Sequence, residues 1–194
     1  PGGALDSDDF DVPLAEGFHP TCAARLAEGC PRDISSALGV AAIRELWEET
    51  GLILGAKGPW HGDIPDDWKD FAEAGYLPSA RPLQFVFRAI TPMGRPRRFD
   101  ARFFLVDADE IASDLDDFSR AEDELSHLQW IPLEEVRSFD LPFITEVVLA
   151  EVAHRAHATE PPSNVPFFHN GIEESLFLRL GGRGPLTGKQ IADD

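Results

Sequence analysis

The clearest periodic stretch of the chain ends at Thr50. Ala42, Ile43, Leu46 and Trp47 recur at helical spacing and give that stretch an apolar side. Asp33, Ser35 and Ser36 precede it as N-cap candidates, and Gly51 is placed to end it in a left-handed cap. Upstream, residues 6–34 are rich in Asp, Gly, Pro and Ala and read as a loop, with a short helical turn at Cys22–Glu28. Leu52–Leu54 reads as a short strand, and Ile64–Ala74 as a helix opened by a proline and two aspartates. Leu83–Ile90 is aromatic and branched, hence a strand; Arg98–Asp107 is its antiparallel partner across a turn rich in Pro and Gly. Asp109–Glu124 reads as an acidic connection and Ser126–Ile131 as a further strand. Pro132–Phe139 begins like a helix, and Pro142–Ala158 is a longer helix with Ile144, Val147, Val148, Leu149 and Val152 as its stripe. Val165–His169 and Ile172–Leu180 flank Asn170-Gly171, a hairpin signal, and a tail follows from Gly181. Strands and helices mix without a regular βαβ alternation. The pattern therefore predicts an α+β fold, a mixed β-sheet sandwiched between helices.

At 194 residues, 43% of them hydrophobic, the chain suits one domain with extensions. No apolar run reaches the ~18 residues of a membrane span, and no secretory signal opens the chain, so a cytoplasmic protein without a membrane partner is expected. The chain starts at Pro1 and its only methionine is Met93, so it reads as a fragment or as processed. The net charge of −18 argues against a nucleic acid polymer as partner, though not against a small anion held by local cations. Only Lys57, Lys69 and Lys189 are lysines among the 17 cations, and arginines crowd between Arg81 and Arg102, a natural place for phosphate contacts. The competing reading pairs each of these arginines with a surface carboxylate. Cys22 and Cys30 form no disulfide framework. With His19 they lack a fourth zinc ligand and read as free thiols.

The chemistry is concentrated in Arg44-Glu45-Leu46-Trp47-Glu48-Glu49-Thr50-Gly51-Leu52. Carboxylates at i, i+3 and i+4 share one helix face, about 5–6 Å apart at Cβ. Like charges that close call for a compensating cation, and an all-oxygen donor set suits a hard ion, Mg2+ or Mn2+. Glu45 and Glu49, one turn apart, are the first candidates for metal ligands. Glu48 is a third ligand, or the group that orients or deprotonates water. Arg44 pairs with one of these carboxylates and fixes its rotamer, or else contacts phosphate.

This stretch resembles the second half of the Nudix box, G-x5-E-x7-R-E-U-x-E-E-x-G-U with U apolar, and matches it at every fixed position. The first half departs from the pattern. Gly3 stands for the leading glycine and Asp9 replaces the following Glu. Then 34 residues instead of seven separate Asp9 from Arg44, an insertion of about 27 residues that takes in 10–34. With Arg97-Arg98-Phe99-Asp100-Ala101-Arg102-Phe103-Phe104 and Gln129-Trp130, this split box is similar to the peroxisomal coenzyme A diphosphatase type of Nudix protein and its bacterial relatives. The resemblance implies the Nudix fold over residues 1–158, here lacking its N-terminal strands, followed by a hairpin and tail over 159–194. It implies metal-dependent hydrolysis of a diphosphate bond in a small nucleotide-linked metabolite, of coenzyme A or acyl-coenzyme A type, and a possible homodimer. It implies a metal contact from the Gly3 carbonyl and a further catalytic Glu outside the box, at Glu124, with Glu122 and Asp123 as competitors. Arg98 and Arg102, in phase on their strand, are the candidates for substrate phosphate, and Phe99 and Phe103 share the opposite phase. NADH and ADP-ribose are alternative substrates. A Nudix-fold sensor that binds a nucleotide without cleaving it is the alternative from another class.

Overall fold

The computed structural model describes residues 2–30, 34–121, 127–158, 160–170 and 175–181. Its regular elements are α1 (Pro20–Ala27), α2 (Ser35–Thr50), β1 (Gly55–Lys57), α3 (Lys69–Glu73), β2 (Tyr76–Pro78), β3 (Gln84–Ile90), β4 (Asp100–Leu105), α4 (Phe143–Arg155), β5 (Val165–Asn170) and β6 (Ser175–Leu180), with short 3-10 turns between them. They fall into two compact units. The first comprises Pro1–His19, Asp33–Leu83 and Val106–Gln129. The second comprises Pro20–Arg32, Gln84–Leu105 and Trp130–Asp194. Among the described residues no helix is long and apolar enough to cross a membrane.

The first unit is organised by α2. Ala37, Val40 and Ile43 are buried along its apolar side, and Trp47 continues that side to the end of the helix. At Gly39 the backbone meets its neighbours closely: a Cβ there would lie 2.9 Å from both the Phe18 ring and the Ala80 side chain. The helix stops where expected. Gly51 takes φ 73°, and its N–H donates to Trp47 O at 2.7 Å. Its start differs from expectation: Ile34 occupies the N-cap and Ser35 lies inside the helix, without a side-chain cap; Asp33 lies outside the described residues. Trp47 packs edge-on against Phe71 at 5.6 Å, and Phe71 against Trp68 at 5.1 Å. Truncating either buried ring to Ala would destabilise the unit by about 3–5 kcal/mol. The expected helix over 64–74 forms as a 3-10 turn, Asp66–Trp68, running into the short α3. The strand expected at 52–54 forms instead at β1, paired antiparallel with β2. Ile53, ahead of β1, is tied to the 106–129 segment. Ala112 N–H donates to Ile53 O at 2.8 Å, and Ile53 N–H donates to Ser113 Oγ at 3.0 Å.

The second unit is built on a mixed sheet in the order β4-β3-β5-β6. The outer pairs are antiparallel and β3–β5 is parallel, so the expected hairpin β5–β6 joins the same sheet as the β3–β4 pair. Adjacent residues of β3 face opposite sides, as the pleat requires. Phe87 and Ala89 pack with Val148 of α4, while Arg88 donates to Glu28 O at the end of α1. Helical segments thus lie on both faces, as the α+β pattern predicts. The parallel seam pairs only Arg88 with Phe167 and Ala89 with Phe168, and Asn170 Nδ2 adds a bond to Ile90 O at 2.6 Å.

Other segments refine or depart from expectation. Within the 6–34 stretch the helical turn expected at Cys22–Glu28 forms as the eight-residue helix α1, and the 3-10 turn Asp8–Phe10 interrupts the loop ahead of it. The strand expected over Ser126–Ile131 is irregular where described, from 127 on. Its Trp130 is 55% exposed, while Leu128 and Ile131 are half-buried. Residues 132–139 form turns and the single 3-10 turn Val136–Ser138 rather than a helix.

Candidate active site

The helical spacing of Arg44, Glu45, Glu48 and Glu49 brings the four side chains to one face of α2, and Arg44 is their hub. Its Nη1 donates to Glu45 Oε1 at 2.9 Å and to Glu48 Oε2 at 3.0 Å. Nε and Nη2 reach Asp9 Oδ1 and Oδ2 at 3.0 and 3.3 Å. Nη2 also donates to Ala4 O at 3.1 Å and lies 3.5 Å from Asp6 Oδ2. Every guanidinium nitrogen is engaged. Burial disfavours the Arg44 charge, but the hydrogen bond and charge of Asp9, then the charges of Glu48 and Glu45, outweigh it and raise its pKa. Glu48 is shifted upward, chiefly by burial. Arg44 opposes the shift, and the charges of Glu45 and Asp67 add to it.

The opening loop closes over this face. Asp9 is 2% exposed and also accepts from the Asp6 N–H at 2.8 Å, which folds residues 6–9 back on themselves. The Gly2 N–H points to Glu49 Oε1 at 3.4 Å. Gly3 lies so close to Glu45 that a Cβ would collide with its carboxylate. Gly3, Arg44, Glu45, Glu48 and Glu49, proposed together from sequence, are therefore neighbours. The sequence did not assign Asp9 its place as the two-toothed anchor of Arg44; its signal was the position it takes over from the box glutamate.

Among the described residues no group of three or more His, Cys, Asp or Glu side chains is arranged to hold a metal ion. Arg44 accounts for that arrangement, since its Nη1 occupies the space between Glu45 and Glu48. The donor set nonetheless fits a hard divalent ion. Arg44 engages one oxygen each of Glu45 and Glu48, a carboxylate has two, and the missing Cβ of Gly3 lets backbone stand against Glu45. Glu124, with Glu122 and Asp123, lies outside the described residues.

Arg98 and Arg102 belong to the second unit. Strand β4 begins at Asp100, so Arg98 precedes it instead of sharing its phase. Arg98 donates to Thr91 O at 3.2 Å and Asn170 O at 3.4 Å. Arg102 is held by Asp100, through its carbonyl at 2.7 Å and its carboxylate at 3.0 Å, and its Nη2 lies 3.4 Å from Cys30 Sγ. Phe99 is 60% exposed and Phe103 packs against Phe87, so these two also part company. Arg88, unremarked within the arginine-rich stretch, is buried and bidentate to Asp100 at 2.8 Å through both bonds. Cys22 and Cys30 are free and buried.

A family model described as NUDIX domain matches residues 34–152, more than half of the chain. Among solved structures, the chain is similar to a NUDIX hydrolase from Alicyclobacillus acidocaldarius. The two share 23% identity over 82% of this chain and 80% of that one, with a TM-score of 0.41. No curated protein matches it.

Proposed function

The chain belongs to the NUDIX family, and on that premise we propose that it is a hydrolase of the diphosphate bond in a nucleoside-diphosphate-linked metabolite, dependent on Mg2+ or Mn2+. The observation that carries the reading is the α2 face, where Glu45, Glu48 and Glu49 surround a single arginine under the Gly2–Gly3 loop. Coenzyme A or an acyl-coenzyme A is the substrate proposed, on the strength of the split box and the Arg98–Phe104 segment.

Glu45, Glu49 and Glu48, with the Gly3 carbonyl, would hold the metal. When bound it would neutralise phosphate oxygens and make water more acidic. Arg44 fixes the rotamers of Glu45 and Glu48 by bonding one oxygen of each, and Asp9 fixes Arg44. Glu48, whose proton affinity burial raises, is the proposed acceptor of the proton from the attacking water. The water oxygen then forms the new P–O bond as the bridging P–O bond breaks, leaving two phosphate-bearing products. Glu124 is the competing base. Arg98 and Arg102 as phosphate contacts rest on the sequence pattern. A raised KM with unchanged kcat in Arg98→Ala and Arg102→Ala would support them.

The test is phosphate-product release with Mg2+ or Mn2+ from coenzyme A, acetyl-coenzyme A, NADH, ADP-ribose, diadenosine polyphosphate and dGTP. Cleavage confined to the coenzyme A compounds supports the full proposal. Cleavage of another member keeps the hydrolase and replaces the substrate. Nucleotide binding without cleavage of any member would replace the enzyme with a sensor.

A further inference from the structure

Arg25 lies on α1, inside the 10–34 stretch, and is 6% exposed. Its Nη2 donates to Ser163 O at 3.0 Å. Its Nε and Nη1 are buried and have no hydrogen-bond partner among the described residues. Arg155, at the end of α4, repeats the pattern. Its Nη2 donates to Glu160 O at 2.9 Å, and its Nε is buried without a partner among the described residues. All four residues belong to the second unit. The ion pairs described in that unit belong to Arg88 and Arg102, both with Asp100, whereas Arg25 and Arg155 hold main-chain carbonyls.

Both guanidinium groups reach the same short segment, at Glu160 O and Ser163 O, and the charge of Arg155 acts on Arg25. Arg25 is shifted downward, first by burial. The Cys22 thiol opposes that shift, the Arg155 charge adds to it, and the Glu28 charge again opposes it. Cys22 is shifted upward by burial despite a backbone hydrogen bond and both arginines. Among the described residues, the charges acting on buried Arg25 thus include a second cation, half-buried Arg155, and one carboxylate, Glu28. Buried guanidinium donors without acceptors are costly, and a like charge nearby adds to the cost. An oxyanion accepting from both groups would meet both deficits through charge-assisted bonds. Three orphaned N–H donors and two positive charges match a tetrahedral dianion better than a single carboxylate.

We propose that Arg25 and Arg155 form a binding site for a phosphoryl group, free or as a phosphate monoester. The Ser163 and Glu160 carbonyls hold the two side chains in position until the anion displaces them. Its residues belong to the second unit and those of the carboxylate face to the first, and it does not depend on the reading given to that face.

The first experiment is thermal unfolding of the whole chain in EDTA, with inorganic phosphate against chloride at matched ionic strength. At roughly ten times Kd, phosphate should raise Tm by about 3 °C. The rise should disappear in Arg155→Met, where the side chain is only half-buried and folding is expected to survive, and in Arg25→Met. Without phosphate, Arg25→Met should be at least as stable as the parent, because it removes an uncompensated buried charge. No effect of phosphate on the parent overturns the proposal. An equal rise in both variants overturns it too, by placing the anion elsewhere, including on the α2 face. A second arm compares coenzyme A with dephospho-coenzyme A. A preference for the former that vanishes in Arg155→Met identifies the ligand as a metabolite's phosphomonoester. Equal binding of the two, with the phosphate effect intact, identifies it as free phosphate.

Discussion

Arg44 and Arg25 are buried to nearly the same degree, 5% and 6% exposed, and sit on neighbouring helices in sequence, yet their surroundings are opposite. Arg44 is outnumbered by acids: Asp9, Glu45 and Glu48 all bond to it, Asp6 is 3.5 Å away and Glu49 shares its helix face. Arg25 is short of acids: its Nη2 donates to a main-chain carbonyl, the charge of Arg155 acts on it, and so does that of one acid, Glu28. Burial alone therefore does not say what an arginine does. The local balance of charge does. An excess of carboxylates around one guanidinium leaves room for a cation, and an excess of guanidinium groups leaves room for an anion. Arg88 stands between the two cases, bidentate to Asp100, a carboxylate it shares with Arg102, and stacked 4.4 Å from the Phe167 ring.

The sharpest break of this comparison is Arg44→Met. It should lower stability by about 3–5 kcal/mol, because Asp9 and two glutamates lose their counter-charge. Urea unfolding measures it, and an effect below 1 kcal/mol would show that the hub is not structural. By contrast, Arg25→Met should cause no loss in phosphate-free buffer. Next comes Glu48→Gln, expected to lower kcat roughly 100-fold or more while nucleotide binding and unfolding midpoint hold. Retained turnover would move the base to the Glu122–Glu124 segment. Gly3→Ala follows: the added methyl must push the Glu45 carboxylate aside, so metal affinity should fall about tenfold in a calorimetric titration with little change in stability. The smallest effect is on pH dependence. Folding raises the Glu48 pKa, so its contribution to stability is fully present below the unfolded value and is lost as pH rises through the folded one. In EDTA, Glu48→Gln should flatten that decline on the acid side of neutrality. A pH profile unchanged by the substitution would contradict the shift.

Those predictions rest on parts of the molecule that differed in how legible they were. The α2 face could be read directly, since i, i+3 and i+4 spacing fixes which side chains meet and Gly51 fixes where the helix stops. The sheet strands β3, β4, β5 and β6 were legible within a few residues from their aromatic and branched runs. The anchoring of Arg44 by Asp9 was visible only as a departure from a pattern, because the bond closes across 35 positions. Helix α1 was underestimated: its composition is poor in strong signals, and packing against β3 stabilises it. The Arg25–Arg155 pairing had no local signature, since it depends on bonds to the 160–163 segment, one of which spans 138 positions. Trp130 misled in the other direction. It suggested the end of a strand and lies exposed in an irregular segment, because sequence hydrophobicity does not say what packs against it.

The two-rung seam between β3 and β5 has a bearing on how the second unit is made. Asn170 and Ile90 are 80 positions apart, so the antiparallel pair β3–β4 leaves the ribosome well before its parallel neighbour exists. Loop-closure entropy makes such a non-local pairing slow. During that interval β3, carrying Phe85, Val86 and Phe87, presents one bare edge of a hydrophobic strand to anything nearby. The C-terminal hairpin then works as a late closure whose loss exposes an association-prone edge. Expression of chains truncated ahead of Val165 should accordingly yield aggregates rather than a smaller soluble fold.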